Sequence, residues 1–434
     1  MLVISAEYEQ PHQAATEGDA ALAHFQMKCE NNIFTANINQ EDRFLYDSSL
    51  ISTYPLAMWL AWYWWRLQWE PRPAKHKLSS DWKMAHNLRS VGEGFVWPDV
   101  TIVPDGSQLA IINRPTDNSS IEPIQYIGQS RTHNISVQNF RSEVENLVSS
   151  ALDVVEGCGF RESDLRNIWN DVKVEWENAE LSLYRKFEAA MGFDPDDAPE
   201  ELIDRVLNQV GLYGESAYYE LSVLNGENGD IPTGDELQKT AERIGYDGSL
   251  NDIVRLDSAN ALPPYGDDVA WRRAVQAARA LREQENLGAS PVDDQTLTQM
   301  MGVSNRLIQE ENLQRDFAFA IRKGSEKYSF VPHSKIRGNR RFDVARALAD
   351  YVAGPDDHEL VPATTSYTYR QKFQRAFAAE FLCPIKGADE MADGDYSDES
   401  QETISEYYDV SSLMVNSLLK NNKRLPREES MDVI

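Results

Sequence analysis

The chain has 434 residues, 41% of them apolar and 10% aromatic, enough for substantial cores and unlike the composition of a disordered protein. Its 70 acidic residues against 42 basic ones leave a net charge of -28, which disfavours direct contact with nucleic acid or an anionic membrane surface. Three cysteines, Cys29, Cys158 and Cys383, stand far apart and offer neither a disulfide framework nor a metal-ligand pair.

At roughly 150 residues per domain, the length predicts about three domains. The N-terminus, MLVISAEYEQ, lacks a basic stretch followed by a long apolar run, so the expectation is a chain without a signal peptide, working in the cytoplasm. Residues 1–135 read as a mixed α/β domain. The runs His24–Asn37 and Val100–Asn113 carry β-branched and aromatic residues, and Pro104-Asp105-Gly106-Ser107 is a hairpin turn between two strands. Between these runs lies a tryptophan-rich stretch. Trp59, Trp62, Trp64, Trp65, Trp69, Trp82 and Trp97 fall within it or just after it. The segment Leu56–Trp69 is interrupted by Arg66 and is shorter than the roughly 20 apolar residues that span a bilayer. It reads as a buried helix with Met58, Trp62, Trp65 and Trp69 on one face. Such a stripe is more often core than a binding platform. If exposed, it would be a partner surface.

Residues 136–245 read as a helical module. Phe140, Val144, Leu147 and Leu152 share a face of one helix, and a longer helix runs from about Ser163 toward Met191. Asp197-Ala198-Pro199-Glu200-Glu201 starts another, with proline and acidic residues in its first turn. Residues from about Gly226 to Asp268 are rich in Gly, Asp, Asn and Pro and look like a boundary around one short helix.

The domain at 255–434 carries the most information. A helix opens at Trp271-Arg272-Arg273, and a second covers Gln295–Met301. Strands follow at Phe317–Ile321 and Tyr328–Val331, then Asn339–Val352 (NRRFDVARALADYV) as a helix. The chain ends in FAAEFLCP (Phe377 to Pro384, preceded by Ala376), ISEYYDVS (Ile404–Ser411) and VNSLLK (Val415–Lys420). Over about 270–425 this order resembles the ImmA/IrrE family of metallo-endopeptidases. There an arginine and a phenylalanine precede a helix bearing HExxH, and a later helix carries a glutamate ligand and a motif like FAAELLMP. The resemblance implies a zincin-like domain within an overall α+β fold.

HExxH works because two imidazoles one helical turn apart grip a single zinc while the glutamate handles the proton of its bound water. Aligned on Arg341-Phe342, the histidine positions here hold Arg346 and Asp350, and the glutamate position holds Ala347. The carboxylate position on the later helix falls at Gln371 or Phe373. A permanent cation and a methyl group cannot do this chemistry, so the expectation is no catalytic residue, no metal and no cofactor, with these five positions as a vestigial site. Spaced i, i+4, Arg346 and Asp350 are expected to form an ion pair in place of the metal.

A polar cluster, Asp350, Asp356, Asp357, His358 and Glu359, reads as a solvated loop, with a metal site as its minor alternative. The basic run Lys335, Arg337, Arg340, Arg341 and Arg346 reads as structural. The histidines, among them His76, His86, His333 and His358, are scattered, and no Walker loop, GxGxxG or GxSxG motif is present. The resulting expectation is a non-catalytic regulatory factor that binds a protein partner, in the stress, mobile-element or phage-related settings that the resemblance implies. Nucleic acid and membrane are not expected as partners, and the oligomeric state is left open. Two alternatives stand beside it: an active zinc metallo-endopeptidase with unconventional ligands that cleaves a regulatory protein, and an acidic inhibitor that occupies a nucleic-acid-binding site.

Overall fold

The computed structural model describes the chain except for residues 10–13, 75–77, 118, 227–229, 258–261, 311–313, 356–357 and 427–434. It is a mixed α+β protein and forms two compact units, Met1–Ile203 and Asp204–Val433.

Unit 1 begins with a strand that its motifs did not reveal. LVISAEY forms β1 (Leu2–Tyr8), which pairs antiparallel with β2 (Leu22–Cys29) from Leu2 opposite Cys29 to Tyr8 opposite Ala23. A one-turn helix, α1 (Glu17–Ala20), lies between them. β2 also pairs with β3 (Asn32–Ile33) and β6 (Ser49–Ser52). A small sheet joins β4 (Asn37–Asn39), β5 (Leu45–Tyr46) and β9 (Ile124–Tyr126) in the order β5-β4-β9.

The hairpin falls where the sequence places it, between β7 (Asp99–Pro104) and β8 (Gln108–Arg114). Asp105 closes the turn by accepting from the amides of Ser107 and Gln108, and Gly106 supplies the left-handed residue at φ 87°. β10 (Arg131–Ser136) completes this sheet beside β8.

The tryptophan stretch is core, but not as one helix. α2 (Thr53–Trp62) stops at Trp62, and α3 (Arg66–Trp69) follows after a break. The break redistributes the stripe. Trp59, Trp64 and Trp65 are buried, whereas Trp62 is 49% exposed. Trp64 meets Trp169 edge-to-face at 5.2 Å, a favoured aromatic geometry.

α4 (Ser80–His86) comes next in the chain. The helical stretch after Ser136 then splits into α5 (Val137–Gly157), α6 (Asp164–Glu177) and α7 (Ala179–Ala190). The single long helix expected from Ser163 is cut because the side chain of Asn178 accepts from the amides of Glu180 and Leu181 and starts a new helix. Phe140, Val144, Leu147 and Trp169 share the core of β2 and α2. The expected separate helical module from 136 to 245 is therefore divided, and its first three helices complete unit 1.

Within that unit Arg66 is 1% exposed and gathers three carboxylates: Glu70 at 2.7 Å, Asp194 at 2.8 Å and Asp81 at 2.6 Å. Glu70 also meets His86 Nε2 at 2.9 Å, while His86 Nδ1 faces the Ile102 carbonyl oxygen at 2.8 Å. Two acceptors at the two ring nitrogens require the His86–Glu70 contact to hold a proton. His86 is thereby a buried structural residue stacked on Trp82 at 4.3 Å; His76 lies outside the described residues.

α8 (Glu200–Tyr213) leads into unit 2. There α9 (Glu215–Asn225) and α10 (Gly234–Ile244) precede β11 (Tyr246–Ser249), inside the segment read as a boundary. β11 adds an edge to an antiparallel sheet of order β11-β13-β12-β14, built from β12 (Ala318–Lys323), β13 (Lys327–Val331) and β14 (Leu360–Ala363). The helices are α11 (Ala270–Gln284), α12 (Asp294–Met300), α13 (Arg306–Gln309), α14 (Arg337–Ala353), α15 (Tyr369–Leu382), α16 (Ile385–Ala392), α17 (Asp398–Tyr408) and α18 (Ser412–Asn421). Ala274, Ala277, Ala278 and Leu281 of α11 are buried with Phe377, Ala378 and Phe381 of α15 in the unit's main core, and α16–α18 enclose a second around Tyr408 and Leu419. Among the described residues no helix is long and apolar enough to cross a membrane.

Removing one partner from a buried ion-pair network costs about 3–5 kcal/mol because the remaining charges lose compensation. Arg66→Met is therefore expected to destabilise unit 1 by about that amount. Asp81→Asn, at a side chain 56% exposed, should change stability by less than about 1 kcal/mol. Nine of the ten tryptophans lie in Met1–Ile203, so urea unfolding followed by tryptophan fluorescence reads this unit.

Candidate functional site

α14 is central to unit 2 because it is buried nearly all round. Val344, Ala345, Ala347, Leu348 and Ala349 are fully enclosed, the pattern of an interior helix. It ends at Gly354, where a Cβ would sit 2.5 Å from both the carbonyl oxygen and the Oδ1 of Asp350. Only glycine lets the chain leave the helix so close to that carboxylate.

Four of the five vestigial positions turn inward as polar or aromatic side chains, and Ala347 simply joins the core. Arg346 on α14 and Gln371 on α15 meet directly, the guanidinium donating to Gln371 Oε1. The expected Arg346–Asp350 ion pair does not form. Asp350 is claimed instead by Arg370, whose Nε donates to Oδ2 at 2.8 Å and whose Nη2 donates to the same oxygen. Arg346 donates instead to the Thr364 carbonyl and to Gln371. Phe373 lies against Tyr265, ring centroids 6.1 Å apart, with the Arg273 guanidinium 5.2 Å over its face.

What Arg346 and Gln371 bind is the free edge of β14 and its extension at Thr364, the residue after the strand. This strand pairs with β12 on one side only, and residues 362 and 364 direct their backbone groups outward. Pro362 suits that edge, since it has no N–H to leave unpaired. Its carbonyl accepts from Gln371 Nε2 and Gln374 Nε2, both at 3.1 Å. The Thr364 amide donates to Gln371 Oε1 at 2.8 Å, and the Thr364 carbonyl accepts from Arg346 Nη2 at 2.6 Å. Arg375 Nη2 donates to the Ser366 carbonyl just beyond, at 2.8 Å. Side chains of two helices thus pair the edge as another strand would. Burial draws the Arg346 guanidinium down to about 9, and the nearby charge of Arg375 adds to the fall.

A second layer lies beside it. The Thr368 hydroxyl donates to Glu220 Oε2 of α9 at 2.6 Å, and Arg370 Nη1 donates to Ser216 Oγ at 3.1 Å. Burial pushes the Glu220 carboxyl up to about 7, against the Thr368 hydrogen bond and the charge of Arg370, which favour its ionised form. Burial also works against the charge of Arg370, but Asp350 more than reverses this and the net displacement is upward. Nothing local in the sequence marks Glu220 as a partner of Thr368, 148 residues away. Arg370 sits next to Gln371, yet only the fold shows that it faces Asp350.

The other groups singled out in the sequence are structural. Arg340 donates to the Ile308 carbonyl at 3.1 Å. Arg341 donates to the Val292 carbonyl at 2.6 Å and pairs with Asp294, and Arg337 bridges Asp294 and Asp409. His358 Nε2 lies 3.2 Å from the Asp350 carbonyl oxygen, and Glu359 pairs with Arg322 at 2.8 Å; Asp356 and Asp357 lie outside the described residues. One pair had no motif to announce it: His333 Nδ1 contacts the buried Asp343 carboxylate at 2.7 and 2.6 Å. Comparison with protein-family models, with curated proteins and with solved structures finds no match.

Gln371→Leu keeps the volume but strands the Thr364 amide and a Pro362 hydrogen bond, and is expected to cost about 2–4 kcal/mol; hydrogen exchange across β14 and α15 measures it. Glu220 carries a pH dependence. The folded state holds its proton more tightly than the unfolded chain does, whose carboxyl titrates near 4.5. Its stabilising contribution is therefore full below about pH 4.5 and is lost as the pH rises through about 7. Glu220→Gln, which still accepts from Thr368, should flatten this dependence and protect the amides of α9 more than wild type at pH 8.

Proposed function

We propose that unit 2 is a non-catalytic, ImmA/IrrE-like domain and that the protein acts as a regulatory factor through a protein partner in the cytoplasm. One observation carries the reading: of the positions that the resemblance assigns to zinc ligands, Arg346 and Gln371, the latter standing with Phe373 as the candidates on α15, are committed to the backbone of β14 and of Thr364 after it. Hydrogen bonds that hold an edge strand closed cannot be given up to a metal without stranding buried amide and carbonyl groups. The remaining ligand position, Asp350, is neutralised by Arg370. Ala347 offers no proton acceptor where a general base would stand. Among the described residues no three His, Cys, Asp and Glu side chains are grouped as a metal ion would require. The net charge of -28 favours a partner with a basic surface over nucleic acid.

The alternative, an active zinc endopeptidase with unconventional ligands, gives a different elemental result. Purified protein is expected to carry far less than one zinc per chain after dialysis against micromolar zinc, and to leave proteins co-purified from its host intact. Stoichiometric zinc that disappears in Asp350→Asn, together with cleavage of a co-purified protein, would overturn the proposal.

A further inference from the structure

Several guanidinium groups in unit 2, among them those of Arg273, Arg282 and Arg340, bond to carbonyl oxygens rather than carboxylates, and Arg346 and Arg375 do so side by side. Arg346 is 6% exposed, Arg375 is partly buried, and neither forms an ion pair among the described residues. Both reach the same acceptor, the Thr364 carbonyl oxygen, Arg346 Nη2 at 2.6 Å and Arg375 Nη1 at 3.4 Å. A shared acceptor brings two like charges side by side, and burial and mutual repulsion both disfavour the cation at Arg346. The carboxylates whose charge Arg346 feels are already engaged: Asp343 by His333, Asp350 by Arg370 and Glu220 by Thr368.

Donors beyond those spent on β14 are left over. Arg346 Nε is buried without a hydrogen-bond partner, and so is the hydroxyl of Ser366, the residue whose carbonyl holds Arg375 at 2.8 Å. Ser366 is 2% exposed. Next to it Tyr367, 39% exposed, has the Arg375 guanidinium 5.5 Å from its ring centre. Buried cations without a counter-charge are costly, and two neighbouring guanidinium forks match an oxyanion better than any other ligand.

We propose that Arg346 and Arg375, with the Ser366 hydroxyl, form a binding site for a single oxyanion, a phosphate or a carboxylate, entered past Tyr367. The Nη2 of Arg346 stays on the Thr364 carbonyl and Arg375 keeps one N–H on each of the Thr364 and Ser366 carbonyls, while Arg346 Nε and the serine hydroxyl face the ligand and Arg375 adds its charge beside it. This site does not depend on whether the domain has lost a peptidase activity.

The test uses the full chain, with sodium phosphate or sodium acetate titrated against sodium chloride at equal ionic strength. Thermal unfolding and calorimetry read the binding. At tenfold saturation a ligand of the folded state should raise the midpoint of unit 2 by about 3–5 °C. A response to phosphate alone points to a phosphoryl ligand, and a response to acetate points to an acidic side chain or chain end. Ser366→Ala removes a hydroxyl that has no partner, so it should leave the midpoint unchanged in chloride while weakening anion binding about tenfold. Arg375→Gln should weaken it further. The proposal is overturned if neither anion outperforms chloride, or if Ser366→Ala binds as wild type does.

Discussion

The covered edge of β14 is the constraint on which unit 2 depends. An edge strand inside a fold presents amide and carbonyl groups that water cannot reach, and each one left unpaired costs about 1–3 kcal/mol. A further strand would normally supply the partners. Here the partners are side chains, Gln371 and Gln374 from α15 and Arg346 from α14. A primary amide is well suited to this task, since it donates and accepts as a peptide group does. Gln371 uses both functions, taking the Thr364 amide and giving to the Pro362 carbonyl. The two helices and the strand are thus locked together by one side chain, and Arg346 closes the circuit through the oxygen of that same amide.

Unit 1 solves a similar problem with charge. Its core includes the indole rings of Trp59, Trp64, Trp65, Trp97 and Trp169, and a guanidinium is buried in the same unit at Arg66, surrounded by Glu70, Asp81 and Asp194. A buried arginine is retained at acceptable cost only when its donors all find acceptors and its charge is balanced. The carboxylates come from three places in the chain, α3, α4 and the segment after α7, so the network pins those segments to one another. Arg185 repeats the pattern nearby with Glu175, Glu188 and Asp196. An overall excess of acid therefore does not mean that every carboxylate is a solvated surface group.

What was legible in the sequence were the elements whose signals are local. The Asp105-Gly106 turn, the helix from Trp271, the strands read at Phe317–Ile321 and Tyr328–Val331 and the helix read from Asn339 were written in short patterns of turn residues and apolar spacing, and fall within a few residues of the observed elements. What failed depended on partners far away. β1 and β11 are short mixed strands that exist because a neighbour pairs with them. The tryptophan segment reads as one helix through Trp69 because Trp64 and Trp65 look like continuing helix, whereas the chain breaks between Trp62 and Arg66 and Trp64 finds its partner in Trp169. The same limit applies at the candidate site. Helical spacing put Arg346 and Asp350 on one face, but that rule weighs only residues within one helix, and both side chains found better acceptors and donors on β14 and α15.

Those exchanged partners also bear on how such a site tolerates change. A metal holds its ligands by a few strong bonds from one point, so losing the ion releases every ligand at once. The network at Arg346, Gln371 and Thr364 holds its elements together by several weaker hydrogen bonds between groups that the chain itself supplies. The cost is specificity of shape: a guanidinium and a primary amide must keep their planes fixed against β14, which is why Phe373 and Ala347 beside them are packed to zero exposure. The result is a rigid core in which α14, α15 and β14 are held in register by groups that belong to the chain itself.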